Sequence, residues 1–307
     1  MEIKFKAKPF VKWAGGKNQL LNEIENVIPA QLKTNEFIYI EPFVGGGAVL
    51  FWILQKYPNI RTAVINDINS DLINSYITIK ENVEELIVIL KKLEDMYYSF
   101  LNNLEKKKKF YYSKRELFNK RISDKVTQTA LFIFLNRTCF NGLYRVNRKN
   151  EFNVPIGSYK KPMICDEANL RAVSKLLQKV IILNGDFEQT LQYAKNTTLF
   201  YFDPPYKPLS QTSSFNSYTK DEFNDKEQIR LAKFCIKIDL LGYKWILSNS
   251  DVKGKNPNDN FFDELYGQFN IKRVMARRNI NSNPNKRGEL TELLITNYGY
   301  EEIMSIA

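Results

Sequence analysis

Apolar positions along the chain fall into short unbroken runs separated by stretches of helical periodicity. Phe37–Ile40, Ala63–Ile65, Val180–Leu183, Leu199–Phe202 and Trp245–Leu247 are such runs, the last within the strand Tyr243–Asn249. Short continuous runs of this kind read as strands, and Thr198–Phe202 reads as one buried in a parallel sheet. Asn18–Val27 carries Leu20, Leu21, Ile24 and Val27 at helical spacing, and Ala48–Gln55, Gln189–Tyr193 and Gln228–Asp239 read as further helices. Residues from about 72 to 135 look helical, and the lysine run Lys106–Lys109 within them reads as a solvated face. Arg273–Ile280 and Leu290–Asn297 predict a closing hairpin, with a basic loop, Asn281–Gly288, between them. Strands alternating with helices predict an α/β fold.

The predicted strands end in glycine or an acid, at Glu41, Asp67, Asp186 and Asp203. In a parallel sheet these ends converge on one edge, where ligands bind. The most informative end is Asp203-Pro204-Pro205-Tyr206. Two prolines stop the ladder abruptly. The Asp203 carboxylate and the Pro204 carbonyl are acceptors side by side. Together they can hold the two hydrogens of an exocyclic amine, drawing its lone pair out of ring conjugation, while Tyr206 offers a flat face to the ring. The alternative is a strand end with a proline turn and a surface acid. Glu41-Pro42-Phe43-Val44-Gly45-Gly46-Gly47 leads from a strand through a tight turn into a helix, the first half of a Rossmann-like nucleotide site. Asp67 follows it by ~20 residues, where a carboxylate commonly holds ribose hydroxyls. Asn69 or Ser70 caps the next helix. Gly15-Gly16-Lys17 at a helix start suits an anionic group but lacks the spacing of a phosphate loop.

Composition narrows the chemistry. The 307 residues are 44% hydrophobic, enough for a core, and no run approaches the ~20 apolar residues of a membrane span. The N-terminus lacks a signal-peptide core, so a cytoplasmic protein with no membrane partner is expected. Histidine is absent and the three cysteines are scattered, which excludes histidine bases, zinc spacings and a disulfide framework. No metal is expected. A formal net charge of +11 favours a polyanionic partner such as nucleic acid. From Asn136 to Gly157, Asn, Arg and aromatic residues alternate around a turn at Asn141-Gly142. Such side chains read base edges and wedge into stacks; a hairpin rich in turn residues is the simpler reading. Pro208–Thr219 is long enough for a binding flap. An amine nucleophile beside a nucleoside-type cofactor suggests methyl transfer. The nearest alternatives are methylation of an RNA amine, and a DNA-binding protein that holds a cofactor without turnover.

The chain resembles the Dam-type N6-adenine DNA methyltransferases that modify GATC, within the D12 class. Lys12–Lys17, Glu41–Gly47, Asp67–Asn69, Asn136–Gly157, Gly185–Phe187, Asp203–Tyr206 and Leu247–Asn249 carry the resemblance, in order, over nearly the whole chain. It implies a Rossmann-like class I methyltransferase sheet with an inserted, mostly helical target-recognition domain. The implied division is a catalytic domain of residues 1–70 and 170–307 around a recognition domain of residues 71–169. It implies S-adenosylmethionine as the donor and duplex DNA, with GATC sites, as the partner. Nothing demands a dimer, and a monomer is expected. By resemblance, Trp13, Lys17, Gly45 and Gly47 line the cofactor, together with Glu41 and Phe43. Asp67 takes its ribose, and Asp186 and Phe187 its adenine. Asp203, Pro204, Pro205 and Tyr206 form the catalytic motif. Lys12, Asn141, Leu143, Arg145 and Pro155 fall where the family reads bases, and Phe140 where it places a wedge. Gly45-Gly46-Gly47 stands where the family usually has Gly-Ala-Gly.

Overall fold

The computed structural model describes residues 6–17, 19–206, 223–254, 256–277 and 289–304. The expected flap at Pro208–Thr219 and the basic loop Asn281–Gly288 lie outside the described residues. Seven strands form one sheet: β1 (Phe37–Glu41), β2 (Ile60–Asp67), β3 (Val180–Asn184), β4 (Thr198–Phe202), β5 (Lys244–Ser250), β6 (Asn270–Arg277) and β7 (Glu289–Thr296). Their spatial order is β3-β2-β1-β4-β5-β7-β6. The first five are parallel, and β7 runs antiparallel between β5 and β6. This is a mixed α/β sheet with the order reversal of a Rossmann-like fold.

The unbroken apolar runs follow from burial on both faces. Along β4, Leu199 and Tyr201 join one hydrophobic cluster while Phe200 and Phe202 join the other. The first cluster is covered by α2 (Ala48–Lys56), α3 (Ser70–Glu81) and α7 (Glu167–Leu177), and the second by α8 (Asp225–Leu240). A strand between two apolar layers has no polar face, so alternation disappears. At the β3 edge the cover thins, and Ile181 is already partly exposed.

Between β2 and β3 the chain runs through α3, α4 (Val83–Ser99), α5 (Leu104–Lys120), α6 (Lys125–Thr138), an irregular stretch and α7. Helix α6 is buried around most of its circumference, from Val126 to Thr138. Its core is continuous with that of the adjoining sheet face. The lysine run on α5 departs from the solvated face expected of it at one position, while Lys106 and Lys109 are exposed. Lys107 is buried, donates to the Tyr159 carbonyl at 3.0 Å and lies 4.8 Å from the Tyr97 ring centroid. Burial lowers its pKa, and the hydrogen bond and the ring stand in for part of the lost water. Gln189–Tyr193, read as a helix, belongs to a 3-10 segment, Phe187–Tyr193. The Asn141-Gly142 turn is present with both residues at positive φ, but the hairpin tip lies further on, at Asn147–Asn150.

Candidate active site

Strand order decides what meets what. With β1 beside β4, the turn after Glu41 and the turn after Phe202 flank the point where strand order reverses. Asp203 lies there. Its Oδ1 is 2.8 Å from Lys17 Nζ and accepts from Ser248 Oγ at 3.2 Å. Lys17 is buried, also donates to the Gly15 carbonyl at 2.8 Å, and holds its ammonium 4.4 Å from the Tyr206 ring centroid. The Tyr206 hydroxyl donates to Glu292 at 2.6 Å, which fixes the ring. Gln228 donates to the Pro205 carbonyl at 3.0 Å and bonds Asn249. Burial pushes the Asp203 carboxyl above the usual range, and the Lys17 ammonium offsets this in part. Burial and the neighbouring Asp203 and Glu292 carboxylates raise Tyr206 well above an ordinary phenol.

The turn after β1 is tied from several sides. Gly45 N–H donates to Asp67 Oδ2 at 3.0 Å, and Asn69 N–H to Asp67 Oδ1 at 2.9 Å. Asn69 caps α3 by accepting from Leu72 N–H, so the cap and the strand-end acid are different residues, as the sequence suggests. Burial raises the Asp67 carboxyl, with these N–H bonds acting against it. Tyr76 donates to the Gly45 carbonyl at 2.9 Å. Gly47 sits at φ 78°, and a Cβ there would come within 2.5 Å of the Tyr76 hydroxyl. Trp13 lies over Gly45 and Gly46. Glu41 is buried and accepts from the Tyr39 hydroxyl at 2.7 Å; burial drives its pKa well up. Further along the same edge, Phe43 and Phe187 pair at 5.3 Å between ring centroids. Arg230 spans this corner, forking onto both oxygens of Asp186 and lying 4.2 Å from the Phe187 ring centroid. Burial raises the Asp186 carboxyl, but Arg230 and the Glu188 N–H outweigh it and hold the group below its usual value.

The segment after α6 folds back against the N-terminal strand of chain. Asn136 brackets Lys12, accepting from its N–H at 2.7 Å and donating to its carbonyl at 2.8 Å, and also donates to the Gly142 carbonyl. Gly142 is at φ 65°, and a Cβ there would meet Lys12 Cδ at 2.2 Å. Lys12 then reaches the Tyr159 hydroxyl at 2.9 Å. Phe140 N–H donates to the Pro155 carbonyl at 2.8 Å, and Phe140 itself is 50% exposed. Arg145 donates to Asn153 across the hairpin at 2.8 Å. Lys12, Phe140, Asn141, Leu143 and Pro155 therefore come together, with Arg145 alongside, although Lys12 is remote in sequence.

Known proteins decide the family. The family described as D12 class N6 adenine-specific DNA methyltransferase matches residues 13–280. The chain is 54% identical to the type II methyltransferase M.MjaIII of Methanocaldococcus jannaschii, over 95% of this chain and 99% of that protein. It is 37% identical to the DNA adenine methylase of Haemophilus influenzae, over 96% and 95% of the two chains. The DNA adenine methylase of Escherichia coli K12 is 33% identical, over 94% and 95%. The chain belongs to the D12 class of N6 adenine-specific DNA methyltransferases.

Several side chains that shape the site of this methyltransferase had no signal in the sequence. Glu292 is 86 residues from the Tyr206 it holds. Arg230 faces Asp186 from α8, 44 residues on. Neither lies in a motif; only the packing of α8 on the sheet and the pairing of β7 with β5 bring them in. Ser248 stands within Leu247-Ser248-Asn249, which marked the family but named no partner for its hydroxyl. Its bonds to Tyr201 at 3.0 Å and to Asp203 make it the post on which the methyltransferase's strand-end carboxylate rests. No group of metal-ligating side chains occurs among the described residues. No described helix is long and apolar enough to cross a membrane.

Proposed function

We propose that this methyltransferase transfers a methyl group from S-adenosylmethionine to N6 of an adenine flipped out of duplex DNA, within GATC, and acts as a monomer. The carrying observation is the position of the Lys17 ammonium. A nitrogen bearing hydrogens sits 2.8 Å from the Asp203 carboxylate and 4.4 Å from the Tyr206 ring centroid. The pocket is therefore shaped to hold a donor nitrogen between a carboxylate and an aromatic face, which is what an adenine amino group requires. Adenine N6 is out of reach within the duplex, so the base must leave the stack, at a cost of a few kcal/mol. Stacking on Tyr206, worth about 1–3 kcal/mol per base, and the bonds from N6 to Asp203 and the Pro204 carbonyl offset it. Lys17 withdraws from Asp203 as the base enters. Asp203 and Pro204 then orient the N6 lone pair, and this alignment is the main catalytic contribution.

The residues at the neighbouring strand ends fit S-adenosylmethionine. Glu41 offers a carboxylate for an ammonium, Asp67 one for vicinal hydroxyls and Asp186 one for an amine, and Phe43 and Phe187 offer apolar faces for a base. The tight turn at Gly45–Gly47 runs close under Trp13, in space that a side chain would fill. When bound, S-adenosylmethionine supplies an electrophilic methyl on sulfur. We assign residues 71–169 to target recognition and residues 1–70 and 170–307 to catalysis. Lys12, Asn141, Leu143, Arg145 and Pro155 would read base edges and Phe140 would wedge into the duplex. The clustering of these residues, with Phe140 half exposed, supports that assignment.

The test is methyl transfer from labelled S-adenosylmethionine to a panel of duplexes: GATC, its single-base variants, and GATC already methylated on both strands. Label on GATC alone is expected. Label on a variant instead would overturn the recognition sequence while keeping the chemistry. No label on any duplex, with label on structured RNA, would overturn DNA as the substrate.

A further inference from the structure

Tyr144 lies between Leu143 and Arg145 and has no role in the reading so far. The chain is extended here, with Leu143 at φ −73° and ψ 140°, so successive side chains turn to opposite sides. Arg145 is exposed, whereas Tyr144 is 3% exposed. Its hydroxyl donates to Asp71 Oδ2 at 2.6 Å, and its ring stacks on Trp13 with centroids 5.4 Å apart and planes 25° apart. Asp71 is itself buried, and its other oxygen is held by Arg121, whose second amino group reaches the Asn150 carbonyl at the hairpin tip.

Both ends of Tyr144 lead to the turn after β1. Asp71 lies in the first turn of α3, just beyond Asn69, and the Asp67 carboxylate binds the N–H groups of Asn69 and Gly45 together. A ligand that draws on the Asp67 carboxylate competes with those N–H groups and biases the β2–α3 joint that carries Asp71. Trp13, on which the Tyr144 ring lies, also covers Gly45 and Gly46. A hydroxyl-to-carboxylate bond in a buried setting transmits such a bias because no water replaces it at low cost.

We propose that Tyr144 is a positioning residue that couples occupancy of the S-adenosylmethionine site to the placement of Leu143 and Arg145 on DNA. The inference rests on the functional reading above and names the contact through which its two sites communicate. By reciprocity, DNA bound to the segment tightens the cofactor site by the same factor that the cofactor tightens DNA.

The test measures S-adenosylhomocysteine affinity by calorimetry, without DNA and with a saturating duplex, using whichever duplex of the panel takes label. Wild type is compared with Tyr144→Phe, which keeps the ring on Trp13 and leaves Asp71 paired with Arg121. Wild type is expected to bind S-adenosylhomocysteine at least about fivefold tighter with duplex present, within the usual range of coupling between sites. In Tyr144→Phe most of that factor is expected to vanish, while affinity without DNA stays within about twofold. The kcat/KM ratio between the preferred duplex and its single-base variants is expected to fall with it. Tyr144→Leu, which removes the ring as well, extends the loss; if it does not fold, Tyr144→Phe alone decides. Equal coupling in wild type and Tyr144→Phe, or none in wild type, overturns the link and leaves the functional reading intact. Wild type that binds no S-adenosylhomocysteine overturns the cofactor reading, and the link with it.

Discussion

At the scale of single residues, the site rests on Asp203 and the ammonium that faces it. Asp203→Ala is expected to abolish methyl transfer while cofactor binding, measured by calorimetry, survives; near-normal turnover would remove the role given to Asp203. The ionised carboxylate is the stronger, acceptor-only partner for the amine, and burial raises its pKa. Activity is therefore expected to fall as pH drops through that raised value, so the acid limb of kcat/KM lies above the ordinary carboxylate range. Lys17 is the strongest influence pulling the same group down. Lys17→Met is expected to move the acid limb to higher pH in a profile of kcat/KM for duplex; an unmoved or lowered limb would contradict the pairing. Asp203, Pro204, Pro205 and Tyr206 stand out in the sequence because they are contiguous: a strand end, two ring-locked residues and an aromatic. Their partners Ser248 and Glu292 do not, since a side-chain hydrogen bond across a sheet leaves no trace in local spacing.

At the scale of elements, the turn from β1 into α2 carries the tightest constraint. Gly47 is left-handed, and its missing Cβ is space that the Tyr76 hydroxyl and the Phe51 ring already occupy, at 2.5 and 2.8 Å. Gly47→Ala adds backbone strain of ~1–2 kcal/mol to overpacking of ~1–3 kcal/mol. Urea unfolding is expected to show a loss within that combined range, with weaker cofactor binding, because Tyr76 must release the Gly45 carbonyl. Unchanged stability would mean the turn relaxes freely. Helix ends were legible where a cap is local, as at Asn69. The lysine run misled at Lys107 because composition reports the average of a helix surface, while packing against Tyr97 and Tyr159 selects one position of it. Helix α7, with Asp166 capping it, went unread between the recognition segment and β3.

At the scale of the whole molecule, the formal net charge of +11 favours a salt-dependent grip on DNA. Each neutralised phosphate contributes a slope of about −0.9 to log affinity against log salt. Duplex affinity is expected to fall about a hundredfold or more between 50 and 200 mM salt, as several phosphate contacts require. A flat response in fluorescence anisotropy would assign the charge to something other than DNA.

The sequence by itself determined the alternation of strand and helix, the residue type waiting at each strand end and the family. These depend on periodicity and on neighbours along the chain. Only the tertiary structure decided that β4 lies beside β1, so that Asp203 meets Lys17 between Ser248 and the Tyr206 ring. It also decided that Lys12 lies on Gly142 and that Tyr144 reaches Asp71. Strand pairing and buried side-chain bonds are choices among many distant partners, and they are made by closing a core around both faces of the sheet.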